Sequence, residues 1–291
     1  MVQKLGRVFE RKPDSPLWGH SALFVGDSIC YAFDNDFYYN AGWEGRLQDI
    51  NGMDSLNLAS PGASVSTFWA DNRVVAQFDL TERTDFEFVV MHGVANDAAQ
   101  SVPVGALTDG FDAELNEDTF AGGLEALFRE AKRRYPDATL GFIINYPLPL
   151  FTTGAYPDID DYVDVMTAAC EKWGVHALDL YHDEEFCNNV LKVNTKQYLF
   201  DAVHPNAVGY DLLYPKIEAF MEELLSIRYP TPPAEDTNEE TETQAPPADT
   251  TESPTVKSGC ASSLAALPCL LIVLPAALVL GRSKTKAKQR R

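Results

Sequence analysis

Through the first 229 residues, short apolar runs alternate with longer stretches whose apolar positions recur every three or four residues. The short runs are Ala22–Val25, Ser55–Leu58, Phe86–Met91, Thr139–Ile144 and Val175–Leu180. Their length and their apolar character predict buried strands. The longer stretches lie around Trp43–Ile50, Thr119–Arg134, Ile159–Trp173 and Ala207–Ser226, and they predict amphipathic helices. Strands and helices that alternate in this way build βαβ units around a parallel sheet. The expected fold class is therefore α/β, a three-layer α/β/α sandwich on a five-stranded, parallel, flavodoxin-like sheet. Ligands of such sheets bind outside the carboxyl ends of the strands, so candidate chemistry is to be sought there.

The pattern changes after Tyr229. From Pro230 to Ser258 the chain is rich in Pro, Thr and Glu and nearly devoid of aliphatic residues, so this segment is expected to remain a disordered spacer. Gly259 to Gly281 then carries no charge and includes Leu264, Leu270, Leu271, Ile272, Val273 and Leu280. About 20 apolar residues suit one membrane crossing, so 259–281 is expected to be a transmembrane helix. The basic tail 282–291 marks its cytoplasmic side and places the domain 1–229 outside the cell, held at the membrane by a single C-terminal anchor. Met1 to Gly19 contains Lys4, Arg7, Glu10, Arg11 and Lys12 and no apolar signal region. Export then implies a signal encoded upstream of this sequence.

Charge narrows the choice of partners. The net charge is -20. Seven acids and one lysine between 230 and 258 give -6, the six basic residues of the tail give +6, and the whole -20 therefore belongs to 1–229. Such a surface repels phosphate backbones, so nucleic acid is not expected as a partner. The five cysteines, Cys30, Cys170, Cys187, Cys260 and Cys269, show neither metal-ligand spacing nor a disulfide framework. Asp34, Asp36, Asp183, Glu184 and Glu185 match no metal loop. No metal and no cofactor are expected. The oligomeric state is not encoded in any of these features.

Four segments stand at the predicted strand ends. In Phe24-Val25-Gly26-Asp27-Ser28-Ile29 an apolar strand stops at a glycine, and Ser28 opens the next element where backbone N–H groups favour negative charge. In Asn57-Leu58-Ala59-Ser60-Pro61-Gly62-Ala63-Ser64, Gly62 can bring a bare backbone N–H close to a ligand. Val90-Met91-His92-Gly93-Val94-Ala95-Asn96-Asp97 ends a strand in Asn96, whose amide can donate to an oxyanion. In Asp201-Ala202-Val203-His204-Pro205 a carboxylate stands three residues before an imidazole, close enough to accept from one ring nitrogen and leave the other for a nucleophile. Singly, each has an ordinary structural reading: an N-cap serine, a turn glycine, a turn asparagine, a solvated Asp and His.

Together, in order, placement and residue type, the four segments resemble the sequence blocks of the SGNH/GDSL hydrolase superfamily, from Leu23 to about Tyr210. The resemblance implies Ser28 as nucleophile, His204 as general base and Asp201 as its orienting acid, with the Ser28 N–H, Gly62 and Asn96 forming an oxyanion hole. It implies a serine esterase working through an acyl-enzyme, with short-chain acyl esters of carbohydrate, such as an acylated polysaccharide, as the expected substrates. An acyltransferase on the same triad and an inactive surface-binding module are the alternatives. The chain departs from the family pattern at Ile29, where leucine is usual, and at Val94, where the family often has glycine; Gly93 stands one place earlier. Phe33, Phe37, Tyr38, Tyr39, Trp43, Phe68 and Trp69 are candidates to line the cleft, and 101–117 is long enough to form a lid or a plain surface loop.

Overall fold

The computed structural model describes residues 7–33, 42–153, 159–188 and 195–230. Five strands, β1 (Ser21–Val25), β2 (Asp54–Asn57), β3 (Phe88–His92), β4 (Thr139–Ile144) and β5 (His176–Asp179), form one sheet in the order β2-β1-β3-β4-β5. Every neighbouring pair is parallel, with Ala22 opposite both Ser55 and Phe88, and Gly141 opposite both Val90 and His176. Each residue of β1 and β3 is buried, which explains why the central strands read as unbroken apolar runs rather than alternating ones.

The described helices are α1 (Ser28–Tyr31), α2 (Trp43–Asn51), α3 (Ala95–Ala99), α4 (Phe120–Arg134), α5 (Asp160–Trp173), α6 (Glu184–Cys187), α7 (Thr195–Tyr198) and α8 (Ala207–Arg228), with 3-10 turns at Val75–Leu80 and Pro149–Thr153. Helices α2 and α8 pack together over one face of the sheet, while α4, α5 and the 75–80 turn cover the other. This is the three-layer sandwich expected from the pattern. The strand order reverses direction between β1 and β3, so their carboxyl ends diverge and leave a crevice for a ligand.

Several boundaries shift. β3 starts at Phe88 rather than Phe86; just before it, Glu87 accepts from Thr139 N–H through its carbonyl, while its carboxylate accepts from Ser21 N–H and pairs with His20. β5 shortens to His176–Asp179, and α8 runs on to Arg228. The short helices α1, α3, α6 and α7 were not in the apolar pattern, since four or five residues are too few to display a period.

The 101–117 segment is a surface loop pinned to α4 and α5. Thr108 N–H donates to the Glu125 carboxylate at 2.8 Å, Lys172 Nζ lies 2.5 Å from the same carboxylate, and Phe111 packs edge-on against Trp173. At the opposite face the N-terminal segment is strapped to α8 by Arg7–Asp211 and Lys12–Glu218 ion pairs.

The chain divides into two units, Met1–Ala234 and Glu235–Arg291. The second unit lies outside the described residues, and so do the expected membrane span and basic tail. Among the described residues no helix is long and apolar enough to cross a membrane.

Candidate active site

Ser28 sits where β1 gives way to α1. The turn is built by its neighbours: Gly26 exchanges two hydrogen bonds with the buried Gln77 side chain, at 2.8 and 2.7 Å. Asp27, not Ser28, is the N-cap, accepting from Ile29 N–H at 2.9 Å. The ordinary reading of Ser28 as a helix cap is thereby displaced: it is the first helical residue, and its hydroxyl is left for another partner.

That partner is His204. Its Nε2 lies 2.8 Å from Ser28 Oγ, across 176 residues of sequence, and its Nδ1 lies 2.8 Å from Asp201 Oδ2. Asp201 Oδ1 meanwhile accepts the backbone N–H groups of Val203 and His204, each at 2.7 Å. Burial works to raise the Asp201 pKa, but these N–H donors and the His204 ring outweigh it and hold the carboxyl below its usual range. An ionised Asp201 requires a proton on Nδ1, which leaves the Nε2 lone pair to accept from the Ser28 hydroxyl.

The loop bearing this pair is fixed from several sides. Tyr146 donates its hydroxyl to Val203 O at 2.6 Å, and Leu150 N–H donates to Ala202 O at 3.2 Å. Asn206 caps α8 by accepting from Val208 and Gly209 N–H, both at 3.0 Å. Phe200 stacks on the His204 ring at 5.7 Å and Phe33 meets it at 5.1 Å, so the imidazole cannot swing freely.

Gly62 and Asn96 arrive from the loops after β2 and β3. Gly62 has φ +79°, a conformation that an L side chain rarely adopts, and a Cβ there would stand 3.6 Å from the Asn72 amide nitrogen, an ordinary contact. Asn96 donates one amide hydrogen to Ala63 O at 2.9 Å. Its neighbour Asp97 is buried and accepts from Val65 N–H at 2.8 Å and Ser66 N–H at 3.0 Å. The two loops are thus tied to each other by consecutive residues. The Val94 departure from the family pattern is accommodated without disturbing Asn96: Val94 is buried in the core, and Gly93 takes the unusual backbone angle at φ +154°.

All four predicted elements converge on one cleft of about 260 Å³, lined by Ser28, Gly62, Asn96 and His204 together with Phe33, Leu150 and other small apolar side chains. Four other depressions, of about 310 to 560 Å³, are larger, and none of them is lined by Ser28 or His204. The arrangement can carry acyl transfer: a serine hydroxyl on a base, a carboxylate behind the base, and hydrogen-bond donors on the opposite wall.

Of the aromatic candidates, Phe33 lines this cleft, whereas Trp43 is core, edge-on to His92 and Tyr210. Phe68 and Trp69 are exposed, and Phe37, Tyr38 and Tyr39 lie outside the described residues. Asp183 and Glu185 face Lys216, at 2.7 and 3.8 Å; Asp34 and Asp36 lie outside the described residues. Gln77, Asp97 and Phe200 support the site and were not singled out from the sequence. The Asn-Asp pair was a signal that Asp97 serves the same loop as Asn96; Gln77, 51 residues from Gly26, left no local trace.

Comparison with known proteins fits this geometry. No curated protein matches the chain in sequence. Among solved structures, a Lactobacillus plantarum protein superposes with a TM-score of 0.57 at 20% identity, covering 71% of this chain and 98% of its own. A GDSL-like lipase from Bacteroides ovatus superposes at 0.54 with 16% identity, covering 70% and 99%. The psychrotrophic esterase EstA from Pseudoalteromonas sp., in a structure inhibited by monoethylphosphonate, gives 0.52 at 18% identity, covering 71% and 99%. At these identities the likeness establishes the fold. The model of the GDSL-like lipase/acylhydrolase family matches residues 24–212, a span that contains Ser28, Gly62, Asn96, Asp201 and His204. The chain belongs to the GDSL-like lipase/acylhydrolase family of hydrolases.

Proposed function

We propose that the protein is a serine esterase acting on short-chain acyl esters of carbohydrate. The observation that carries the reading is the unbroken line from Asp201 Oδ2 through His204 to Ser28 Oγ, with both links at 2.8 Å. Ser28 Oγ attacks the ester carbonyl while its proton passes to His204 Nε2. The tetrahedral oxyanion accepts from the N–H groups of Ser28 and Gly62 and from the amide of Asn96. The carbon–oxygen bond to the alcohol then breaks, His204 returns the proton to the departing alkoxide, and the acyl group stays on Ser28. Water repeats the sequence, delivering its proton to His204 and releasing the acid.

The cleft supports a small acyl group. Its volume of about 260 Å³ is shared between the reacting centre and apolar walls such as Ala95 and Ala99. The carbohydrate assignment follows the family resemblance and the acidic surface, which disfavours anionic lipids. In the same reading 259–281 anchors the hydrolase domain at the outer face of a membrane. Hydrolysis of p-nitrophenyl acetate, p-nitrophenyl octanoate and acetylated xylan by the full chain, with Ser28→Ala as control, tests the proposal. Faster turnover of acetyl esters, lost in Ser28→Ala, is expected. Equal rates for the two proteins would overturn the serine mechanism.

A further inference from the structure

Phe68 and Trp69 are each 48% exposed, adjacent in sequence, and packed edge to face with ring centroids 5.0 Å apart. A single exposed aromatic is unremarkable, but an exposed pair of which one member, Phe68, lines a polar pocket points to a ligand. The loop holds them out by construction. Phe68 N–H donates to Ser66 Oγ and Trp69 N–H to Ser64 Oγ, both at 3.2 Å, and both serines are fully buried. Thr67 N–H donates to Glu117 O at 2.9 Å, so the backbone is fixed on its other side as well.

Phe68 forms one wall of a pocket of about 310 Å³ whose other walls include Thr67, Gln100, Ser101 and Asp118. Ser101 holds φ +55°, and among the described residues only Ala32 is another non-glycine with positive φ. Such angles persist where the surroundings impose them, and they concentrate at binding sites. The pocket is joined to the Ser28 cleft through α3: Ala95, Asn96 and Ala99 line the cleft, and Gln100 and Ser101, directly after them, line the pocket. Ala99 of the cleft and Gln100 of the pocket are consecutive residues at the end of α3, with Cα atoms about 3.8 Å apart, so neighbouring rings of one oligosaccharide can occupy the two.

Resting on the carbohydrate-ester reading, we infer that Phe68 and Trp69 with the Thr67, Gln100, Ser101 and Asp118 pocket form a subsite for a neutral pyranose ring of the substrate, next to the ring that bears the scissile ester. The ring's C–H face stacks on Phe68, which Trp69 braces edge-on, and its hydroxyls reach the amide, hydroxyl and carboxylate groups. The lining contains no cation, so it offers nothing to a phosphate or sulfate. A fatty acyl chain would desolvate Gln100, Ser101 and Asp118 without replacing their hydrogen bonds.

The test compares kcat/KM of the full chain for p-nitrophenyl acetate and for acetylated xylotetraose, in wild type, Trp69→Ala, Trp69→Phe and Phe68→Ala. The subsite predicts that the ratio of tetrasaccharide to p-nitrophenyl ester activity falls at least tenfold in both alanine variants, chiefly through KM, and recovers in Trp69→Phe. A ratio unchanged in every variant overturns it. Wild type active on p-nitrophenyl acetate but inactive on acetylated oligosaccharides of xylose, glucose and mannose overturns the carbohydrate reading, and wild type inactive on every ester overturns the esterase reading. Calorimetric titration of Ser28→Ala with unacetylated xylotetraose separates binding from catalysis: heat abolished by adding Trp69→Ala supports the subsite, and identical heat with and without Trp69 overturns it.

Discussion

Nδ1 of His92 lies 3.2 Å from Oδ1 of Asp27, and both side chains are sealed from solvent beneath the turn that carries Ser28. The distance permits a hydrogen bond but the alignment does not, and His92 Nδ1 and Asp27 Oδ2 both lack a hydrogen-bond partner. Burial pushes the Asp27 pKa up, yet the His92 ring beside it and the N–H of Ile29 outweigh burial and hold the carboxyl below its ordinary value. A helix cap next to the nucleophile is thus kept ionised by a residue at the end of a different strand.

Removing one member of a buried pair leaves an uncompensated charge. His92→Phe is expected to cost about 3–5 kcal/mol of stability. Adding Asp27→Asn to it should recover part of that loss, because no charge is then stranded. Urea unfolding of the two single variants and the double variant gives the coupling directly. Additive losses would show that the two residues act independently.

Asn96 has two jobs in the geometry, and kinetics can separate them. One amide hydrogen is bonded to Ala63 O, while the side chain also lines the Ser28 cleft. Asn96→Ala should lower kcat by roughly two to three orders of magnitude, the usual result of losing one oxyanion donor. Loss of the Ala63 bond alone is a matter of stability, about 1 kcal/mol. A variant with an intact unfolding midpoint and near-wild-type kcat would remove Asn96 from the oxyanion hole.

Acid should weaken the fold through the carboxylates held below their ordinary pKa. For Asp201, the N–H groups of His204 and Val203 and the His204 ring overcome burial; for Glu125, which is fully buried, Lys172, Thr108 N–H and Trp173 do so. Each binds its proton more readily in the unfolded chain, so each contributes stability that is complete above about pH 5 and drains away as pH falls through the lowered folded value. The urea midpoint of wild type should therefore fall below about pH 4.5. In Glu125→Gln the midpoint should start lower at pH 7 and fall less steeply. An identical slope in the variant would mean that Glu125 does not titrate between the two states.

The strands and four of the helices were legible because their apolar runs and periods are long enough to be counted, as in Phe120–Arg134. The candidate site was legible because Ser28, Gly62 and Asn96 follow strand ends, where Gly, Asn and Asp interrupt apolar runs, and because Asp201 and His204 stand three apart just before α8. What was not legible is what holds those groups. Gln77 reaches Gly26 and Phe200 stacks on His204 by way of the folded chain. His92 stood near a motif, but its partner Asp27 is brought to it only by the pairing of β1 with β3. The 101–117 segment is long enough for a lid or a plain surface loop, and only the buried Glu125 with Lys172 reveals why it lies down on α4 and α5.

Two of the cationic ties to α8, those of Arg46 and Lys12, should differ sharply in strength. Arg46 is almost wholly buried; its guanidinium donates to Asp211 at 2.7 Å, to Ala207 O at 3.2 Å and to Gly42 O at 3.2 Å, and it lies over the Tyr210 ring. Burial depresses its pKa, partly restored by Asp211, which marks a charge already short of solvent. Lys12 reaches Glu218 at 2.6 Å, but its side chain is 53% exposed. Water and salt screen that second pair, so Lys12→Ala should change stability by less than about 1 kcal/mol, whereas Arg46→Ala takes a donor from two carbonyls, leaves Asp211 to Arg7 alone and should cost about 3 kcal/mol or more. Because Arg46 also joins α2 to the N-terminal end of α8, directly after His204, its loss should lower kcat as well. Thermal unfolding and esterase assays of the two variants provide the check, and equal destabilisation by both would show that burial does not set the strength of these ties.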